Sequence, residues 1–304
     1  MSRDQRCQTA KAHDPPASAP RLTRIRVVSV DHYENFPVAS ILCPPGLRPP
    51  IRAIYHFART ADDLADEGDA VASTRLADLA AYRLALDRAS QDGPLSPRWQ
   101  GVFAPLREQL QAFALPLVLL HDLLDAFEQD VRNPHYPDRA ALLDYCRRSA
   151  NPIGRLLLHL YGMDEPPALA RSDAICTALQ LINFWQDLSI DGPRGRHYVP
   201  VADAMAHGVE AADLAACRDS PAARRLVRGL NDWATTLMLE GAPLCRQLPG
   251  RAGWELSLVV AGGLRIAQRI RHMDHATLLQ RPALTALDFP ALLWHVVRIG
   301  VARR

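Results

Sequence analysis

Gln180-Leu181-Ile182-Asn183-Phe184-Trp185-Gln186-Asp187-Leu188-Ser189-Ile190-Asp191 sets Asn183, Asp187 and Asp191 four residues apart. At helical spacing one face then carries a ladder of oxygen ligands, while Leu, Ile, Phe and Trp fill the rest. A helix that apolar is buried by a bundle, and carboxylates taken inside with it cost several kcal/mol each unless cations or metal pair with them. The alternative for this stretch taken alone is the solvated stripe of an amphipathic helix.

A second acidic stretch lies upstream. Arg59-Thr60-Ala61-Asp62-Asp63-Leu64-Ala65-Asp66-Glu67-Gly68-Asp69 places five carboxylates within eight residues at the C-terminal end of a predicted helix. A helix C-terminus favours cations, and Asp62 and Asp66 repel each other across one turn, so the placement works against stability. Tyr55, Arg59, Asp62 and Asp66 follow at steps of four, three and four, which lines up a phenol, a guanidinium and two carboxylates on one face. Alone, this reads equally as a helix end running into an acidic surface loop.

Together the two stretches say more. Oxygen ligands without His or Cys suit a hard ion such as Mg²⁺, which is held by one or two carboxylates together with substrate phosphate oxygens. Two facing acidic helices would clamp a diphosphate through bridging metal, and an Ala/Leu/Ile/Val bundle behind them would enclose an apolar chain. Burial of that chain is worth about 0.8 kcal/mol per methylene.

The remainder of the 304 residues supports a bundle. Ala/Leu/Arg stretches with apolar residues three and four apart predict helices over 31–42, 50–67, 74–90, 97–113, 117–131, 138–161, 168–190, 221–247, 253–274 and 289–302. Period-two alternation is nearly absent, so the expected class is all-α: a single helical domain over 25–304 behind a Pro- and Ala-rich disordered leader, 1–24. A net charge of +2 lacks the basic excess that nucleic-acid binding requires. Six scattered cysteines, with no C-x-x-C pair, indicate neither a disulfide framework nor zinc. No apolar run is long enough to cross a bilayer and residues 1–20 lack a secretory signal, so the expected location is cytoplasmic.

In these features the chain resembles the squalene/phytoene synthase family, from about Val27 to the C-terminus. His32, Phe36, Tyr55 and Arg59 fall where that family places substrate-lining and diphosphate-contacting residues, followed by the first D-x-x-x-D motif, Asp62 to Asp66. Tyr145-Cys146-Arg147-Arg148-Ser149-Ala150-Asn151-Pro152-Ile153-Gly154 is similar to its Y-C-x-x-x-A-x-x-x-G segment, where small residues such as Ala150 admit the prenyl chain. Gln180, Asn183, Asp187 and Asp191 match the second motif, and Arg196-His197-Tyr198-Val199-Pro200 the R-x-Y-x-P segment after it. The resemblance implies an isoprenoid-synthase-type bundle around an apolar cavity and an isoprenoid diphosphate substrate. It implies Mg²⁺ on Asp62, Asp66, Asn183, Asp187 and Asp191. Tyr198 would lie near the reacting centre and Arg196 would face diphosphate.

Within the family, Glu34 to Ser40, Ala58 to Asp69 and Ser149 to Pro152 look like the hydroxysqualene-forming branch, which ionises presqualene diphosphate, opens its cyclopropane and lets water capture the cation. Gln186 stands where many relatives carry arginine, and a neutral amide there could orient a water. Two alternatives remain: condensation of two farnesyl or geranylgeranyl diphosphates, and a non-catalytic scaffold binding lipid or a partner. Arg147, Arg148 and Arg155 are read as diphosphate contacts or surface residues, and His159 as a hydrogen-bonded core residue. His197, beside Tyr198, is a candidate acid or base. The apolar last helix with its terminal arginines suits either packing on the bundle or a peripheral contact with the inner membrane face, from which product would pass to other squalene-pathway enzymes.

Overall fold

Prolines and short polar caps mark where several of the helices begin. The computed structural model describes residues 43–285 and 288. Helix α1 (Arg48–Asp66) starts on a proline pair, and it is followed by α2 (Ala72–Ser90), α3 (Gln100–Phe113) and α4 (Leu117–Arg132). Asp138 caps α5 (Arg139–Ser149) by accepting the Ala141 N–H at 2.9 Å. Then come α6 (Asn151–Leu160), α7 (Pro166–Gln186), α8 (Leu188–Asp191), α9 (Val201–Ala206) and α10 (Ala211–Ala215). Ser220 caps α11 (Pro221–Gly241), and α12 (Gly250–His272) follows. No strand occurs among the described residues, as expected of an all-α chain.

Three boundaries differ from the sequence reading. The helix expected over 138–161 is two, broken at Ala150, because Pro152 in the first turn of α6 supplies no N–H to a continuing helix. The helix expected over 168–190 stops at Gln186; Asp187 has φ −99° and ψ 9°, and α8 resumes beyond it, so the oxygen ladder spans a break. Pro243 likewise converts the end of the 221–247 prediction into a 3-10 turn, Ala242–Arg246. Helices α9 and α10 were not anticipated, being too short to show periodicity. The leader 1–24, the 24/25 boundary and the helices expected over 31–42 and 289–302, with the membrane contact suggested for the latter, lie outside the described residues.

Helix α7 is central to the packing. Its Leu181, Ile182 and Trp185 are buried with Leu226, Leu230 and Met238 of α11 and Val260 and Ile270 of α12. Close approach depends on two glycines. A Cβ at Gly241 would lie 2.6 Å from the Arg171 carbonyl, and one at Gly154 would lie 2.3 Å from Ser172 Oγ and 2.6 Å from Cys176 Sγ. At the other side, Phe57, Tyr82 and Phe103 lock α1, α2 and α3 together, with Phe57 and Tyr82 stacked at 5.3 Å. No helix among the described residues is long and apolar enough to cross a membrane.

Candidate active site

Helices α6 and α7 build an apolar floor. Ile153, Gly154 and Leu157 of α6 and Ser172, Cys176 and Leu179 of α7 line a cavity of about 100 Å³. The α7 face that carries Ser172, Cys176 and Leu179 continues into Asn183 and Asp187, because each is three or four residues beyond the last. One helix therefore runs from the apolar cavity into the polar ladder.

The first motif is organised by Arg59. Its Nη1 donates to Asp62 at 3.2 Å, and its Nη2 pairs with Asp63 at 2.7 Å and Glu67 at 2.6 Å. Arg196, on the loop after α8, forms an ion pair with Asp66 and lies 4.0 Å from Asp191. One guanidinium thus stands between the first acidic motif and the second. Asp187 accepts from Asn183 Nδ2 at 2.8 Å and pairs with Arg281. Tyr55 is partly exposed on α1, Gln180 partly exposed on α7, and Ala150 sits at the α5–α6 junction. His32 and Phe36 lie outside the described residues.

Between the motifs is an aromatic wall. The rings of Tyr198 and Phe184 are parallel at 3.8 Å, and Tyr145 lies 6.3 Å from Phe184 and 6.2 Å from Tyr198. Tyr136 completes the group, 5.5 Å from Tyr145. The Tyr145 hydroxyl donates to both oxygens of Asp130, at 2.7 and 3.0 Å. A larger pocket of about 420 Å³ opens beside this wall, lined by Tyr198 together with Asp191 and Arg196.

Charge is unbalanced here. Burial pushes Asp62 and Asp191 up to about 6, against the pull of Arg59 and Arg196 respectively, and pushes Asp130 up to about 7 despite the Tyr145 hydrogen bond. Burial also holds the Tyr145 and Tyr198 phenols well above their ordinary range, so both stay protonated. The carboxylates outweigh the guanidiniums facing them, and the cluster has room in its electrostatics for further cations. Among the described residues no three His, Cys, Asp or Glu side chains converge enough to hold a metal by themselves. The donor chemistry, carboxylate and amide oxygens without His or Cys, is the kind a hard ion such as Mg²⁺ takes.

Other anticipated residues are occupied elsewhere. Gln186 is buried and gives its amide N–H to the Pro282 carbonyl at 2.7 Å, so its nitrogen holds the 279–285 segment against the second motif. Arg147 pairs with Asp144, Arg148 with Asp144 and Gln129, and Arg155 with Asp173. His159 hydrogen-bonds the Phe113 carbonyl at 2.9 Å, and His197 stacks on His135 at 4.1 Å. Asp130, Tyr136 and Arg281 had no signal in the sequence pattern. Asp130 has no spaced partner on α4, and Arg281 is 94 residues from the aspartate it meets.

The squalene/phytoene synthase family model matches residues 30–288. The chain is 32% identical to a hydroxysqualene synthase of Rhodopseudomonas palustris over 273 residues, 89% of this chain and 90% of that one. It is 42% identical to a hydroxysqualene synthase of Zymomonas mobilis over 184 residues, 60% of this chain and 59% of the other. Among solved structures, the squalene synthase HpnC of Alicyclobacillus acidocaldarius superposes with a TM-score of 0.73 at 36% identity, covering 81% of this chain and 91% of that one.

Proposed function

This chain belongs to the squalene/phytoene synthase family, and on that premise we propose that it ionises presqualene diphosphate with Mg²⁺, opens the cyclopropane and lets water capture the cation, giving hydroxysqualene and diphosphate. The observation that carries the reading is Arg196 held between Asp66 and Asp191. That arrangement links the two carboxylate motifs through one guanidinium, at the end of the α7 face that leads out of the apolar cavity. The hydroxysqualene synthases among its relatives favour this branch over condensation.

Asp62, Asp66, Asn183, Asp187 and Asp191 would hold Mg²⁺, with Tyr55, Arg59 and Arg196 at the diphosphate. When bound, the metal supplies charge neutralisation of the departing diphosphate. Arg59 and Arg196 add fixed cations to the same end, and Arg281, released from Asp187, would join them. A positive centre held against the group of Tyr136, Tyr145, Phe184 and Tyr198 would meet π-electron density, which stabilises a desolvated cation by about 2 kcal/mol or more. Because the phenols remain protonated, they offer hydroxyl groups rather than nucleophilic phenolates to the cation. The apolar cavity along α6 and α7 would take part of a prenyl chain.

The test is product analysis. Presqualene diphosphate and Mg²⁺ in ¹⁸O-labelled water should give an alcohol with one labelled oxygen, with or without NADPH. Turnover of farnesyl diphosphate but not presqualene diphosphate would support the condensation reading instead, and a main NADPH-dependent hydrocarbon would remove the water-capture assignment while leaving the family intact.

A further inference from the structure

Water capture releases a proton, and the groups assigned above give it no destination. Asp62, Asp66, Asp187 and Asp191 each have an arginine partner and stand where metal is expected. Asp130 differs from them. It lies on α4, outside both motifs, and no ion pair to it occurs among the described residues; instead both of its oxygens receive the Tyr145 hydroxyl. Tyr145 is only 3% exposed and forms part of the aromatic wall with Tyr136, Phe184 and Tyr198. Asp62, Asp66 and Arg196 act on Asp130 electrostatically, so the Asp130–Tyr145 dyad lies within range of both the first motif and the arginine that meets it.

We propose that Asp130, acting through Tyr145, accepts the proton released when water captures the carbocation. The inference rests on the water-capture reading above. The water oxygen supplies the electron pair of the new C–O bond. The resulting oxonium passes one proton to Tyr145 Oη as the Tyr145 proton moves to the Asp130 carboxylate. Carbocation, water and carboxylate thereby become neutral alcohol and carboxylic acid, and the acid afterwards returns its proton to solvent. A carboxyl group lifted by burial to about 7 is matched to this cycle, being able both to take and to release a proton near neutrality. The rival acceptor is the departing diphosphate, whose oxygens would already be occupied by metal and by Arg59 and Arg196.

Asp130→Asn keeps an oxygen for the Tyr145 hydroxyl and loses only the ability to accept a proton. With presqualene diphosphate and Mg²⁺, the quantity to measure is alcohol formed per diphosphate released, which a merely structural defect would leave constant whatever the overall rate. It should fall about tenfold or more, with the balance appearing as hydrocarbon formed by proton loss from carbon. Tyr145→Phe severs the same relay and should lower the ratio equally, and the double variant should lower it no further. An unchanged ratio in folded Asp130→Asn, or alcohol and diphosphate falling in step, overturns the proposal. Should Asp130→Asn fail to fold, Tyr145→Phe decides by the same ratio. A wild type that makes no alcohol removes both the water-capture reading and this inference, whereas wild-type alcohol with an unaltered ratio in the variants removes this inference alone.

Discussion

Asp62→Asn should stabilise the metal-free protein while abolishing its turnover. Burial raises Asp62 from 3.8 to about 6. A carboxyl whose folded value exceeds its unfolded value binds more protons in the folded state, so its support is complete below the unfolded value and is lost as pH rises through the folded one. At pH 8 the whole difference weighs against folding, at most about 3 kcal/mol. The side chain is 26% exposed, and solvent screening reduces the figure to about 1–2 kcal/mol. Asparagine removes the penalty, and Arg59 keeps Asp63 and Glu67. At roughly 2–4 °C per kcal/mol for a chain somewhat shorter than this one, the variant should melt about 2–6 °C higher. The assay is thermal unfolding by circular dichroism with chelator at pH 8 and pH 5. The gap should shrink by about half at pH 5, where folded wild-type Asp62 is mostly protonated. With Mg²⁺ and a non-reacting diphosphate the order should reverse, because ligand at a hundred times its Kd adds about 2.7 kcal/mol to the protein that binds it. A variant that melts at or below wild type in chelator at pH 8, or a gap indifferent to pH, would refute the reasoning.

Three further outcomes follow from the same geometry. Arg196→Gln withdraws the guanidinium standing between Asp66 and Asp191; diphosphate release should drop about 10²-fold or more, and the metal-free melting temperature should fall. Gly154→Ala forces a methyl group to within 2.3 Å of Ser172 Oγ and 2.6 Å of Cys176 Sγ; a denaturant titration should register a loss of about 1–3 kcal/mol. Chelation should abolish turnover of presqualene diphosphate and added Mg²⁺ should restore it, with activity undiminished in chelator as the result that excludes the metal reading.

The all-α class and the two acidic motifs were legible in the sequence because each is local. A helix repeats every 3.6 residues, so Tyr55, Arg59, Asp62 and Asp66 share a face wherever the helix goes, and so do Asn183 and Asp187. Helix breaks at Ala150, Asp187 and Ala242 were less legible, since a proline within an apolar pattern leaves its periodicity intact and Asp187 carries no breaker at all. What only the tertiary structure decided is which charges meet. Arg196 reaches Asp66 across 130 residues of chain, Arg281 reaches Asp187 across 94, and Tyr145 reaches Asp130 across 15 from another helix. No periodicity encodes such distances. They arise when α7, buried against α11 and α12, fixes the positions of its neighbours, and the cost of burying each carboxylate then selects which guanidinium or hydroxyl lies within reach.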